Sequence, residues 1–264
     1  MGFLGYSNIL GIDKYFGRNE YNNDSEFDGY WGIWDEPFLQ FMKEKLDEEK
    51  EPFFSTVFTI SSHEPYIIPK KYKDIFFEGD NRMHKCVRYT DYALKRFFDE
   101  AKKESWFNNT IFVMVADHAN LIYYPEYRKE LNLNTVPILF YHPDGRFSDI
   151  NNSLAQQIDI YPTILDMIGY DKKFRSWGRS LISNKENPFV IKYSGFYYFF
   201  YDNYVCCFDG EKVIGFYELS DASMKNNLIN EKRDLMYFIE KKCKAFIQDY
   251  MNRIIDLNLE ENRF

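Results

Sequence analysis

The run Asn109-Thr110-Ile111-Phe112-Val113-Met114-Val115 leads directly into Ala116-Asp117-His118-Ala119. β-Branched and apolar residues in an unbroken run of this length predict a strand covered on both faces, the habit of a parallel strand in an α/β sheet. Such a strand is expected to be central and buried. A carboxylate and an imidazole at its carboxyl end would stand in the crevice where open α/β sheets bind ligands. Both are good ligands for a divalent metal, the carboxylate hard and the imidazole borderline. An Asp-His pair alone also fits a loop-capping Asp beside a His satisfied by backbone, so its weight comes from what surrounds it.

Upstream, Phe53-Phe54-Ser55-Thr56-Val57-Phe58-Thr59-Ile60 reads as a second buried strand, followed by the loop Ser61-Ser62-His63-Glu64-Pro65-Tyr66. A helix is expected from Glu36 to Leu46, with Asp35 as its cap and Pro37 in its first turn. A longer one is expected from about Arg82 to Lys103, with Val87, Tyr89, Tyr92, Ala93, Leu94, Phe97 and Phe98 broadly suiting one buried face. Downstream come a strand over Val136–Tyr141, a Pro143-Asp144-Gly145 turn, and a helical pattern from Gln156 to Ile168 that Pro162 must kink or restart and Gly169 must end. Strands alternating with helices predict a mainly parallel α/β sheet with helices on both faces. After Asn187-Pro188 the character changes. Residues 189–217 carry turn signals at Asp202-Asn203 and Asp209-Gly210, predicting a small antiparallel meander, and a long amphipathic helix follows from about Glu231 to Leu257. The expected division is therefore residues 1–187, an α/β portion, and 188–264, a small sheet with a terminal helix.

Composition narrows the function classes. The chain has 264 residues, 45% of them hydrophobic and 20% aromatic, ample for a core. A net charge of −8 argues against a nucleic-acid partner, which requires a basic patch. No apolar run approaches the length of a membrane span, and Met1 to Ile12 lack the basic start and apolar stretch of a signal peptide. Cys86, Cys206, Cys207 and Cys243 show no CxxC spacing, so a zinc knuckle is not indicated and buried thiols are the default, with one long-range disulfide left open.

Among the candidate residues, Asp117 and His118 lead, and His63 follows. A His in a loop at a strand's carboxyl end can donate a hydrogen bond to an anionic oxygen or protonate a leaving group. The bland alternative is a loop His packed by Pro65 and Tyr66. His84 and His142 have no such support. Asp91 reads as a tie between its helix and a neighbouring loop, Asp159 and Thr163 as caps or backbone ties, Arg179 as a structural ion pair, and Trp31 and Trp34 as core.

The ordered motifs resemble the alkaline phosphatase superfamily, and most of all its branch of lipoteichoic acid synthases and sulfatase-like enzymes. Leu10-Gly11-Ile12-Asp13, Trp31-Gly32-Ile33-Trp34-Asp35-Glu36, Ser62-His63-Glu64-Pro65-Tyr66 and Tyr89-Thr90-Asp91 are each similar to a family segment. So are Asn109-Thr110 leading into Asp117-His118, Gln157-Ile158-Asp159 with Pro162-Thr163, Trp177-Gly178-Arg179-Ser180, and Phe216-Tyr217-Glu218-Leu219 with Asn226-Asn227-Leu228. The resemblance implies metal-dependent transfer or hydrolysis of an anionic phosphate or sulfate ester, in the synthase branch a lipid head group. It implies Asp117 and His118 as metal ligands, with Mn²⁺ favoured over Mg²⁺, Ca²⁺ or Zn²⁺, and His63 as a substrate-binding residue. Because their loops follow strands expected in one sheet, the three side chains are expected to share one crevice.

The departure from the family is equally informative. The family's first acidic metal ligand and its nucleophile lie upstream of anything matched here, so no catalytic nucleophile is assigned in this chain. The expectation is an N-terminally truncated catalytic portion that is inactive alone, its site completed by an upstream segment or a partner chain. Full-length relatives would be membrane-anchored, with an extracytoplasmic catalytic domain. The alternative is a non-catalytic binding or residual module of the same fold.

Overall fold

A computed structural model describes residues 2–183 and 188–255. Its contacts divide the chain into two units, one running to Met114 and including Leu139–Ser148, the other comprising Val115–Ile138 and the described residues from Asp149 onward. The sequence-based division at 187/188 falls where residue 187 lies outside the described residues.

The first unit begins with two short helices, α1 (Phe3–Ile9) and α2 (Arg18–Tyr21). Its core is the pairing of α3 (Asp35–Asp47) with α4 (Arg82–Ala101). Leu39 and Leu46 from α3 meet Ala93, Phe97 and Ala101 from α4, and Trp106 and Phe107 close the cluster. Those positions recur every four or seven residues, one stripe of each helix. The Asn81 side chain caps α4 by accepting from the Met83 N–H at 2.9 Å. Strand β1 (Phe112–Val115) pairs with β2 (Ile138–Tyr141) in a two-stranded sheet.

Two expectations fail here. Phe53–Ile60 is not a strand, because it forms no ladder with another described segment. Phe53 and Val57 pack on the α3–α4 core, whereas Phe54 and Phe58 are 76% and 58% exposed. Nor is β1 central, since a two-stranded sheet has no interior strand, and Val115 is 42% exposed. An apolar run records a tendency to be covered; it does not supply the neighbour that covers it.

The second unit holds α5 (Ile160–Met167), which follows a 3₁₀ turn at Gln157–Asp159. Pro162 falls within the first turn of α5, where a missing N–H leaves no helical bond unmade, so it starts the helix rather than kinking it. Gly169, at φ +71°, ends it. Then comes the antiparallel meander β3 (Phe189–Tyr193), β4 (Tyr197–Tyr201), β5 (Tyr204–Phe208) and β6 (Val213–Glu218), paired in that order. The turns fall at the foreseen places, with Asp202 and Gly210 in the left-handed region. Helix α6 (Arg233–Ile255) packs on one face, against Phe199, Cys206 and Phe216 through Met236, Ile239 and Cys243. The other face, with Tyr198, Phe200, Val205 and Cys207, is covered by Leu131 and its surroundings. β4 and β5 are thus buried on both sides, which explains why Tyr197–Tyr201 and Tyr204–Phe208 are apolar without alternation. The α/β class, the antiparallel C-terminal sheet and the closing helix are as the sequence implies. Residues 256 and 257, assigned to that helix from the sequence, lie outside the described residues.

All four cysteines are buried free thiols. Burial pushes the Cys86 thiol up to about 11 and those of Cys207 and Cys243 to about 12. Among the described residues no helix is long and apolar enough to cross a membrane.

Candidate functional site

Asp117 and His118 follow β1 directly, on a bend. The Asp117 carboxylate accepts from the His118 backbone N–H at 2.9 Å through Oδ1, and this turns the two side chains toward one another. His118 Nδ1 lies 2.8 Å from the carbonyl oxygen of Ala119. A carbonyl can only accept, so Nδ1 carries the hydrogen and Nε2 keeps its lone pair in the neutral ring. That nitrogen sits 3.4 Å from Asp117 Oδ2, with both side chains more than half exposed. Two donors each about 2.1 Å from one tetrahedral ion lie about 3.4 Å apart. The pair therefore has the chemistry, the tautomer and the spacing of two ligands to a single divalent cation. No third His, Cys, Asp or Glu joins them among the described residues.

The bend is held from outside. Gln157 Nε2 donates to the carbonyl oxygens of Ala116 and Asp117, at 2.7 and 2.9 Å. Gln157 stands on the 3₁₀ turn that Asp159 fixes, with Oδ2 accepting from Gln156 N–H and Oδ1 from Arg179 N–H, each at 2.9 Å. Asp159 is fully buried, and burial raises its pKa against the opposing pull of those two bonds. Thr163 donates to the Asp159 carbonyl and accepts from Leu181 N–H. Asp159 and Thr163 are thus the backbone ties expected of them. The Arg179 guanidinium donates to the Leu154 carbonyl at 2.8 Å, a backbone bond where the sequence suggested an ion pair.

His63 lies in the first unit. Its loop is a succession of turns, with His63 N–H donating to Ile60 O and Tyr66 N–H to His63 O, both at 3.0 Å. The loop is anchored from below by Asp35. That carboxylate, 2% exposed, accepts from Ile60 N–H at 2.8 Å, Ser61 N–H at 3.1 Å and Thr90 Oγ1 at 2.7 Å. The Asp35 N–H in turn donates to Ser61 Oγ at 3.1 Å. Asp35 does not cap α3 as the sequence suggested, because its oxygens are committed to the loop. Thr90 makes the helix-to-loop tie expected of Asp91, which points outward.

From above, the loop is gripped by Trp31. Its Nε1–H donates to Glu64 O at 2.8 Å, and its ring lies 4.0 Å from the His63 imidazole, centroid to centroid. Trp34 is core as expected, but Trp31 is 42% exposed and belongs to the His63 surroundings. His142 is buried and paired with Asp144 at 2.8 Å, a turn-stabilising contact. Sequence reasoning thus missed Trp31, Asp35 and Gln157 as supporting residues. Each lies in a quoted motif, but the partner that gives it a role is distant in sequence.

Comparison with known proteins identifies the architecture. The model of the sulfatase family matches residues 3–170. Lipoteichoic acid synthase 1 of Bacillus subtilis is 26% identical over 205 residues, covering 70% of this chain and 32% of the relative. Lipoteichoic acid synthase of Staphylococcus aureus (strain USA300) is 27% identical over 200 residues, covering 69% and 31%. The chain thus spans about a third of the length of these curated relatives. A solved structure of Ps i-CgsB in complex with k-i-k-neocarrahexaose aligns over 92% of this chain and 61% of its own, with a TM-score of 0.65 at 14% identity.

Proposed function

From the sulfatase family, to which this chain belongs, we propose that it carries part of the site of a metal-dependent enzyme that transfers or hydrolyses an anionic phosphate or sulfate ester. Relatives named lipoteichoic acid synthases favour a phosphoglycerol transferase acting on a lipid head group. Asp117 and His118 would hold the ion, with Mn²⁺ preferred over Mg²⁺, Ca²⁺ or Zn²⁺. A divalent ion there supplies Lewis-acid polarisation of an ester oxygen and lowers the pKa of an attacking hydroxyl. His63 donates from Nε2, when protonated, to an oxygen of the anionic ester.

The observation that carries this reading is the 3.4 Å approach of His118 Nε2 to Asp117 Oδ2, with Nδ1 tied to a carbonyl. The second reading, a non-catalytic module of the same fold, draws on the donor set being only a pair among the described residues. Calorimetric titration with Mn²⁺ tests the first. The chain should bind the ion weakly, and Asp117→Ala should remove that binding while leaving the circular dichroism spectrum unchanged. Binding that Asp117→Ala leaves intact would remove the pair from the site.

A further inference from the structure

We propose that Trp31 is a positioning residue for His63, setting which imidazole nitrogen faces outward. The inference rests on the reading of His63 as the group that meets an anionic oxygen.

His63 Nδ1 lies 3.1 Å from the carbonyl oxygen of Glu64. That oxygen also accepts the indole Nε1–H of Trp31, at 2.8 Å. One carbonyl has two lone pairs, and here the indole and the imidazole each take one. Because the carbonyl cannot donate, His63 Nδ1 must carry its hydrogen, and Nε2 is the nitrogen left for a ligand. The indole fixes the carbonyl's direction and, with rings 4.0 Å apart, one face of the imidazole. Without it, the Glu64 carbonyl and the ring could each turn, because His63 is exposed.

Trp31 is itself held rigidly. Asp28 Oδ1 accepts three successive backbone N–H groups, from Tyr30 and Trp31 at 2.8 Å and Gly32 at 3.1 Å. The Asp28 N–H donates to Gly32 O at 2.9 Å, closing the loop. This side-chain-nucleated turn presents the indole outward, which explains a large aromatic residue left 42% exposed. Asp35 from beneath and Trp31 from outside confine the loop to one conformation, as an ordered anion-binding group requires.

The test uses the full chain with ¹⁵N-labelled histidine, the His63 ring signals being assigned by their loss in His63→Gln. Long-range proton–nitrogen spectra, recorded where the ring is neutral and without added anion, report the tautomer. The wild-type chain should show Nδ1 protonated. Trp31→Leu, which lacks both ring and N–H, should move His63 toward the Nε2–H form. Trp31→Phe, which keeps a face but no donor, should do so in part. Titration with inorganic sulfate, and separately with inorganic phosphate, at a pH where the ring carries both hydrogens, so that Nδ1–H stays on the Glu64 carbonyl and Nε2–H points outward, should show Trp31→Leu binding about tenfold more weakly, the size of one lost hydrogen bond. Thermal unfolding should barely move, because the side chain removed is half exposed. Unchanged tautomer in both variants overturns the proposal, and so does a tautomer that changes with no change in a measurable anion affinity. Should wild type bind neither anion while the tautomer still follows Trp31, the positioning stands and the assigned role of His63 falls.

Discussion

At the scale of single residues, the most consequential group is a carboxylate that does no chemistry. Asp35 is 2% exposed, and its oxygens accept from three donors, Ile60 N–H, Ser61 N–H and Thr90 O–H. Asp35→Ala strands all three, and an unsatisfied buried donor costs about 1–3 kcal/mol. The expected loss is roughly 3 kcal/mol by urea unfolding, allowing the loop to relax toward water. Asp35→Asn keeps an acceptor for the two amides and should cost clearly less. Equal losses for the two variants would mean that shape, not hydrogen bonding, holds the loop. Gln157 is the counterpart for the Asp117–His118 bend. Gln157→Ala should weaken Mn²⁺ binding by roughly tenfold, the low end for outer-shell partners, without abolishing it. Neither role was legible in the sequence. Asp35 read as a helix cap because an acidic residue before Glu36-Pro37 normally is one, and its true partners are Ile60, Ser61 and Thr90, distant in sequence.

At the scale of elements, what was legible follows from local chemistry. The meander could be read because its turns need Asp202-Asn203 and Asp209-Gly210, and α3 and α4 because their stripes repeat at helical spacing. What escaped was pairing. Phe53–Ile60 and Tyr197–Tyr201 look alike as apolar runs, yet only the second has neighbours on both edges. The Trp177-Gly178 motif is legible only afterward. A Cβ on Gly178 would lie 2.0 Å from the Ile158 carbonyl oxygen and 2.8 Å from Asp159 N, so backbone meets backbone there. Gly178→Ala must push apart the turn that carries Gln157, and overpacking of this kind costs about 1–3 kcal/mol. It should lower the thermal midpoint and weaken Mn²⁺ binding together. A stable variant with unchanged ion affinity would separate that close approach from the site. The thiols give a pH prediction at the same scale. Cys207 and Cys243 rise from an ordinary 9 to about 12 on burial, so the folded chain holds their protons more tightly than the unfolded one. Their contribution is fully present below pH 9 and is lost as pH rises toward 12. Urea unfolding at pH 8 and pH 10.5 should show this fall, and a thiol reagent at pH 8 should react only with the unfolded chain.

At the scale of the whole molecule, the question is how much of a reaction these residues can perform. The proposed groups would hold a metal and contact an anion, and none of them is an attacking hydroxyl. Two ligands hold a divalent ion far more weakly than a full set, so the ion would be largely hydrated. The expected outcome is negligible turnover of p-nitrophenyl phosphate, p-nitrophenyl sulfate and a phosphatidylglycerol analogue by the 264-residue chain with added Mn²⁺. Asp117→Ala should then change ion binding and leave the rate where it was. Of the hydroxyls near His63, Ser61 is 3% exposed and engaged by the Asp35 N–H, which removes it from contention. Thr59 is only half buried and free of that tie. Robust turnover that depends on Asp117 would therefore point first to Thr59, and Thr59→Val would abolish it if that hydroxyl attacks. Turnover that survives both substitutions would place the chemistry elsewhere in the chain and overturn the proposal that Asp117 and His118 hold a catalytic ion.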